Sequence, residues 1–416
     1  MGKKVVKSLC LVLVGLMAVA SFSGCSGTSN KTNGKTTITF SMWSAVPDAP
    51  NNFIDTFQAK YPNIKVSVNT ITEGDYSQKI NTMVAAGTAP DVMLLWECDI
   101  PKLAKAGKID KLDSYMAKST DVKANDFIPA VGILNTQNGA CYGIPWCVAA
   151  EICYYNKDMF DAAKVAYPTD GWTQADMLAD AQKLTINKNG KTTQWGLASP
   201  NFVGLWYAAI GAAGDPVLNS DNQLSLGSNA VKALQFESDL VNKYKVSPAP
   251  SADTTTDLFA AGQAAMFETG SWMVSTYKTA AFKWDIVTLP KDQMQYSSLH
   301  TGFYAINSKS KQKDADWTFI QYMMSNEGQK IVEAGTANLS AKLSMQSDTA
   351  WQVKGTNGPT NWNAMTDTLK FAKFGYVLGN PGATSNALKY FQEVAAGTMT
   401  PQSAVDQSNT DAKTMS

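Results

Sequence analysis

Residues 139–160 read GACYGIPWCVAAEICYYNKDMF, and this stretch decides the fold. Two short apolar runs flank the passage Gly143-Ile144-Pro145-Trp146, and a helix is expected from near Lys157. Between Tyr142 and Tyr155 the only charged residue is Glu151. A run so apolar and so short, broken by Pro145, predicts buried strands passing through the middle of a molecule. The chain before it reads as one α/β unit, and much of the chain after it reads as another. The stretch is therefore a crossing point between two lobes.

Upstream, Thr37–Trp43 alternates and is β-branched, which predicts a strand. Asn51–Lys60 places Phe53, Ile54 and Phe57 on one helical face and stops at Tyr61-Pro62. Ile64–Ile71 alternates again. Asp75 is expected to cap a helix carrying Tyr76, Ile80, Met83 and Val84, ended by Gly87. Asp91–Trp96 reads as a buried strand, and a short helix with Leu103 and Ala106 ends at Gly107. That order predicts a parallel sheet with right-handed crossovers. Ligands of such sheets sit beyond the carboxyl ends of the strands, here Trp43-Ser44 and Trp96-Glu97.

Downstream, Thr173 and Asp176 approximate a capping box before Met177, Leu178, Ala181 and Leu184. Trp195–Ala198 is expected as a strand, Phe202–Ala213 as an apolar helix, and Ser228 as the cap of Val231–Tyr244. Leu258–Gly262 reads as helical, and Ala264–Glu268 as a strand meeting Gly270-Ser271-Trp272. Trp284–Thr288 and His300–Asn307 read as single strands. Helices over Ala315–Met324, Glu327–Ala334, Ala387–Ala396 and Pro401–Asn409 close the chain.

The chain has 416 residues, enough for two domains, and its 44% hydrophobic and 17% charged composition is that of a folded protein. Basic and acidic residues balance at 35 each, with Lys3, Lys4 and Lys7 in the leader. The remainder is slightly acidic, which argues against nucleic acid as a partner. Arginine does not occur. Without a guanidinium fork for carboxylate or phosphate, a neutral, hydroxyl-rich ligand is favoured. Beyond the amino-terminal segment the cysteines are Cys98, Cys141, Cys147 and Cys153. They contain no C-x2-C pair and no neighbouring His, so no metal is expected. They read as small buried hydrophobes, with one disulfide left open. His300 is the single histidine. Together with the lack of a P-loop or a dinucleotide glycine pattern, this predicts no cofactor and leaves little room for a Ser-His-Asp triad.

Residues 1–24 have the layout of a secretory signal. A basic start is followed by the apolar run Leu9–Phe22, shorter than the roughly 18–20 residues that span a bilayer. Phe22-Ser23-Gly24-Cys25 resembles a bacterial lipobox, with Phe22 where Leu is more usual. The resemblance implies cleavage before Cys25 and diacylation of its sulfur, hence anchoring on the extracytoplasmic face of the cell membrane. Residues 25–35 form the lipidated Cys and a polar tether.

Several short segments follow one another along the chain in a set order. They are Phe57-Gln58-Ala59-Lys60-Tyr61-Pro62, Ala85-Ala86-Gly87-Thr88-Ala89-Pro90-Asp91-Val92 and Leu103-Ala104-Lys105-Ala106-Gly107. Tyr142-Gly143-Ile144-Pro145 with Tyr154-Tyr155-Asn156-Lys157-Asp158-Met159-Phe160 comes next. Phe259-Ala260-Ala261-Gly262-Gln263-Ala264-Ala265-Met266 with Gly270-Ser271-Trp272 completes the set. In this order the segments resemble the family-1 extracellular solute-binding proteins, the sugar-binding lipoproteins of bacterial ABC importers. Departures are Cys153 before Tyr-Tyr-Asn, and His300-Thr301-Gly302-Phe303 where Gly-Gly is common. The resemblance implies a two-lobe, periplasmic-binding-protein-like α/β fold whose hinge-connected domains close on a ligand cleft. It implies a first lobe over 36–145 with 304–350 and a second over 146–303 with 351–416. A monomer delivering its ligand to ABC permease subunits is the implied partner relation.

Flat aromatic rings stack on the C–H faces of sugars, and carboxylates accept from their hydroxyl rims. Trp43, Trp96, Trp146, Trp206 and Trp272 stand at expected strand ends or hinge positions and are the candidate stacking platforms. Glu97 and Asp99 are candidate hydroxyl acceptors. Gly270 and Gly302 are expected to let backbone N–H groups approach the ligand, beside His300 and Phe303 as further cleft contacts. The expected activity is capture rather than catalysis. A secreted glycoside hydrolase needs only two carboxylates; it and a receptor for another solute, such as a polyamine, are the competing readings.

Overall fold

The computed structural model describes residues 34–43, 49–132, 136–137, 139–198, 202–220, 223–250, 257–353, 357–374 and 381–415. The leader, Cys25 and residues 26–33 of the tether lie outside the described residues. Strands β1 (Thr36–Trp43), β2 (Ile64–Ile71) and β3 (Val92–Trp96) run parallel, with β1 between the other two. Helices Ala49–Lys60 and Tyr76–Ala86 follow β1 and β2. The second ends at Gly87, whose φ of 73° is the left-handed C-terminal turn that glycine adopts without strain. Asp75 makes no capping hydrogen bond to this helix and instead pairs with Lys79 at 3.1 Å.

The opening stretch continues from a small hairpin, β4 (Thr136–Gln137) and β5 (Ala140–Cys141), into β6 (Ile144–Pro145) and β7 (Ala149–Asn156). All eight residues of β7 are buried. The helix Lys157–Ala163 follows directly, capped by Asn156, whose side chain accepts from the Met159 N–H at 3.1 Å. The Thr173–Asp176 capping box opens the helix Gln174–Leu184 as the spacing predicts. The remaining strands are β8 (Ile186–Lys188), β9 (Lys191–Ala198), β10 (Ala264–Gly270), β11 (Trp284–Val287), β12 (Ser297–His300), β13 (Gly302–Ile306) and β14 (Ala372–Lys373).

These strands form two main sheets, one in each of two α/β lobes. The first has the order β2-β1-β3-β13-β6, and the second β14-β12-β7-β10-β9-β8, with β11 sharing one edge of β7 with β12. The expected single strand His300–Asn307 is broken at Thr301, and its two halves belong to different sheets. There the Thr301 hydroxyl donates to the Cys147 carbonyl at 2.7 Å, and the Trp146 N–H donates to the Gly302 carbonyl at 3.1 Å. The two crossing segments thus hydrogen-bond side by side. Both halves are fully buried, so alternation carries no trace of the change of sheet. Leu258–Gly262, expected as helix, forms hydrogen-bonded turns ending at Gly262 with φ 65°. Ser228 lies inside the first turn of the helix Ser228–Asn242, and Gly227 is its cap.

One apolar cluster runs from Phe40 and Phe57 of the first lobe through Ile152 and Tyr154 of β7 to Trp284 of the second sheet. Two further clusters lie within the second lobe, one against the other face of its sheet and one among the helices Val203–Ala212, Ser228–Asn242, Pro381–Ala395 and Pro401–Thr414. Continuity of the core through the crossing makes the strand junctions the stiff frame on which a cleft can be built. Among the described residues no helix is long and apolar enough to cross a membrane.

Candidate functional site

A cavity of about 640 Å³ opens where β1 and β3 end, and both sheets line it. From the first sheet come Trp43, Trp96, Glu97 and, on the crossings, Trp146 and Gly302. Trp43 and Trp96 stack at 3.8 Å between centroids with 14° between planes, and Trp146 meets Trp43 edge-on at 5.6 Å. Trp43 and Trp146 are each 4% exposed, whereas Trp96 is half-buried. The open ring face therefore belongs to Trp96.

Opposite stand Phe202 and Trp272, both half-buried, in an edge-to-face pair at 5.8 Å. Trp272 follows β10 in the turn Ser271–Met273. That turn is tied down by the Tyr154 hydroxyl, which donates to the carbonyls of Gly270 and Ser271 at 3.0 and 3.2 Å. Thr269, Ser275, Thr276, Thr336 and Asn338 add a hydroxyl and amide rim. Hydrophobic faces with a few convergent polar groups are the chemistry of a small-molecule site.

At the floor, His300 contacts Phe202 and Trp272 at 5.3 and 5.5 Å between ring centroids. Its Nε2 is hydrogen-bonded to Glu151 Oε1, and its Nδ1 lies 3.6 Å from Glu97 Oε1. Burial alone would lower the imidazole pKa; the two carboxylates, Glu151 first, outweigh it and raise the pKa to about 9. Glu97 Oε2 is buried with no hydrogen-bond partner.

Of the residues singled out from sequence, Trp43, Trp96, Glu97, Trp146, Trp272, His300 and Gly302 line this cavity. Asp99, Trp206, Gly270 and Phe303 do not. Asp99 is fully buried and accepts from the Ser77 hydroxyl at 2.7 Å, joining two helices of the first lobe. Trp206 is 1% exposed and packs on Phe391 at 5.7 Å in the helical cluster of the second lobe. Phe303 is core, paired through β13 with Leu95 and Pro145. Both glycines serve packing. A Cβ on Gly270 would sit 2.1 Å from the Trp272 ring, and one on Gly302 would sit 2.6 Å from the Trp43 ring.

Glu151 and Phe202 are additions. Glu151 carries a signal in the sequence, being the one carboxylate in an apolar run; Phe202 carries none beyond opening an apolar helix. Cys98, Cys141, Cys147 and Cys153 are free thiols, and Cys98 and Cys147 line the cavity. Among the described residues no group of three or more His, Cys, Asp or Glu is placed to hold a metal ion.

Known proteins share both the sequence pattern and the fold. The family model for bacterial extracellular solute-binding proteins matches residues 43–330. An ABC substrate-binding protein of Listeria monocytogenes, solved in complex with cycloalternan, is 29% identical. It superposes with a TM-score of 0.84, covering 91% of this chain and 98% of its own. A lactose-binding protein of Rhizobium radiobacter is 24% identical over 335 residues, 75% of this chain and 76% of its own. A maltooligosaccharide ABC transporter solute-binding lipoprotein of Streptococcus pneumoniae is 22% identical over 303 residues, 69% of this chain and 68% of its own.

Proposed function

The chain belongs to the family of bacterial extracellular solute-binding proteins, and from that premise we propose that it captures a neutral carbohydrate for an ABC importer. The observation that carries this reading is the pairing, across one cavity, of the half-buried rings Trp96 and Trp272 with Glu97 Oε2, a buried acceptor without a partner. A sugar supplies what each lacks: C–H faces for the rings and a hydroxyl donor for the carboxylate. Relatives that bind lactose or cycloalternan are consistent with the class. No lysine is among the described residues that line the cavity, and arginine is absent from the chain. An anionic ligand would therefore meet Glu73 and Glu97 beside a His300 imidazole that already faces Glu97 and Glu151.

In this reading the lobes are 36–145 with 304–350 and 146–303 with 351–416, save that Gly302 and Phe303 pair into the first sheet through β13, and they close on ligand because only the closed state joins contacts from both. The protein acts as a monomer, without catalysis, and hands the sugar to permease subunits. Cys25, diacylated after signal cleavage, holds it on the outer face of the membrane through two acyl chains. Cys25→Ser is then expected to release the protein into the medium, and a variant that still pellets with membranes sinks the anchor.

The functional test is a thermal-shift screen over neutral mono- and oligosaccharides, followed by calorimetry and a turnover assay with labelled oligosaccharides. Ligand at a hundred times its dissociation constant should add roughly 2.7 kcal/mol of stability. A screen in which no neutral sugar raises Tm, or an assay in which the sugar is cleaved, overturns the reading.

A further inference from the structure

His300 ends β12, one residue before the chain passes to β13 in the other sheet. It is 5% exposed. Its two ring nitrogens face two carboxylates from two sheets: Nε2 meets Glu151 of β7 in the second, and Nδ1 meets Glu97, the residue after β3, in the first. Both carboxylates are buried, at 0% and 2% exposure. A neutral imidazole has one N–H, so it would turn a lone pair toward one of them; both contacts are attractive only with a proton on each nitrogen.

The further neighbours described around His300 are uncharged. From β12 itself, the Ser297 hydroxyl lies 3.4 Å from Glu151 Oε2. Tyr296 just before it is held in its protonated form by burial and by Glu151. From the helix Val203–Ala212 comes only Gly204, where a Cβ would stand 2.3 Å from Glu151 Oε1 and 3.0 Å from His300 Cε1. Phe202 and Trp272 present uncharged rings. Cys98 and Cys147, on the same cavity wall, are thiols whose pKa burial pushes well above the ordinary value. Among these described neighbours the charges facing His300 are its two carboxylates.

We propose that protonated His300 is a hinge brace and a positioning residue, tying Glu97 of the first lobe to Glu151 of the second at the crossing and fixing the Glu97 carboxylate, whose buried Oε2 has no hydrogen-bond partner, in the cavity wall. The brace follows from the ion contacts alone; the use of Oε2 by a sugar hydroxyl rests on the function proposed above. Because the imidazole pKa is raised from 6.5 to about 9, the brace is intact below the ordinary histidine value and is lost as pH climbs through about 9. Lying at the crossing, it resists rotation of one lobe on the other.

The single histidine makes the test direct. Ligand-free protein labelled with 15N-histidine is titrated by NMR while small-angle scattering reads the radius of gyration. The expected result is a ring protonated at both nitrogens at pH 7.5, losing one proton near pH 9, with the radius rising over the same interval. In Glu151→Gln, which removes the stronger counter-charge but leaves the burial, the midpoint should fall below the ordinary value. Its radius at pH 7.5 should match that of the parent above pH 9. A neutral ring at pH 7.5, or a radius that stays constant while the ring titrates, overturns the proposal. Neither readout needs a ligand, so failure of the sugar reading would show separately, in the thermal-shift screen.

Discussion

The indole of Trp96 lies flat on that of Trp43, with 3.8 Å between ring centroids and 14° between planes. Trp43 is 4% exposed and is held from behind by Trp146 edge-on and by Gly302, which leaves just enough room for its ring. Two tryptophans at adjacent strand ends thus have different tasks: Trp96 offers a face, and Trp43 supports it. A stacked pair of this kind is worth about 0.5–1.5 kcal/mol beyond the area it buries.

Trp96→Ala should therefore weaken sugar binding by more than tenfold, about 1.4 kcal/mol, and shift the Tm of the free protein little. Trp43→Ala should weaken binding too, but with a loss of about 3–5 kcal/mol in folding stability, as for other buried aromatic truncations. Calorimetric titration and melting of both variants decide the matter; equal losses of stability would remove the distinction.

Trp206→Ala should behave as a core cavity. The side chain is buried against Phe391, and its indole N–H has no hydrogen-bond partner. A loss of about 3–5 kcal/mol in stability is expected, with the affinity of the folded fraction within a factor of two or so of the parent. A selective loss of affinity in a protein of unchanged Tm would return Trp206 to the cleft.

Much of the molecule was legible in the chain, and the failures have definite causes. Alternation in Thr37–Trp43 and Ile64–Ile71 and the stop at Gly87 located the first sheet because each strand there has a helix to cover it. Strand-end logic brought Trp43, Trp96 and Trp272 to one cavity. The same logic has no purchase on Trp206, since the helix Val203–Ala212 is apolar all round and its composition marks no outward face. Glycine in a sequence says that space is short, not what fills it; at Gly270 and Gly302 the filler is indole rather than ligand. The passage from one sheet to the other at Thr301 is set by hydrogen bonds to Cys147 and Trp146, partners more than 150 residues away in the chain.

Ligand charge offers a second check on the cleft. The described residues lining it include Glu73 and Glu97 and no lysine. Sugar phosphates and uronic acids should bind at least tenfold more weakly than the matching neutral sugars. Glu97→Gln should narrow that gap while weakening the neutral sugar, because an amide can donate to an anion where a carboxylate can only accept. An anionic sugar that binds the parent more tightly than its neutral counterpart contradicts this picture.

Stability should fall as pH rises from mildly acid to mildly alkaline, and a buried acid pair in the second lobe should carry part of the slope. Glu237, on the helix Ser228–Asn242, and Glu268, in β10, are 5% and 8% exposed. Burial pushes both carboxyl pKa values up, and the charge of Glu268 adds to the rise at Glu237. Asp316 and Glu333 are likewise raised to about 7, chiefly by burial. A carboxyl with a raised folded pKa contributes stability that is complete below its unfolded value, about 4.5, and is lost as pH climbs through the folded one. The parent Tm should therefore be higher at pH 5.5 than at pH 8.5, and the His300 contribution falls in the same direction, from the ordinary value of 6.5 toward about 9. Glu237→Gln removes one charge from the pair without changing its shape, so it should raise Tm at pH 8.5 and flatten the profile. Calorimetric melts of parent and variant across that interval provide the comparison. A variant that keeps the parent slope would show that the two acids stay ionised in the fold.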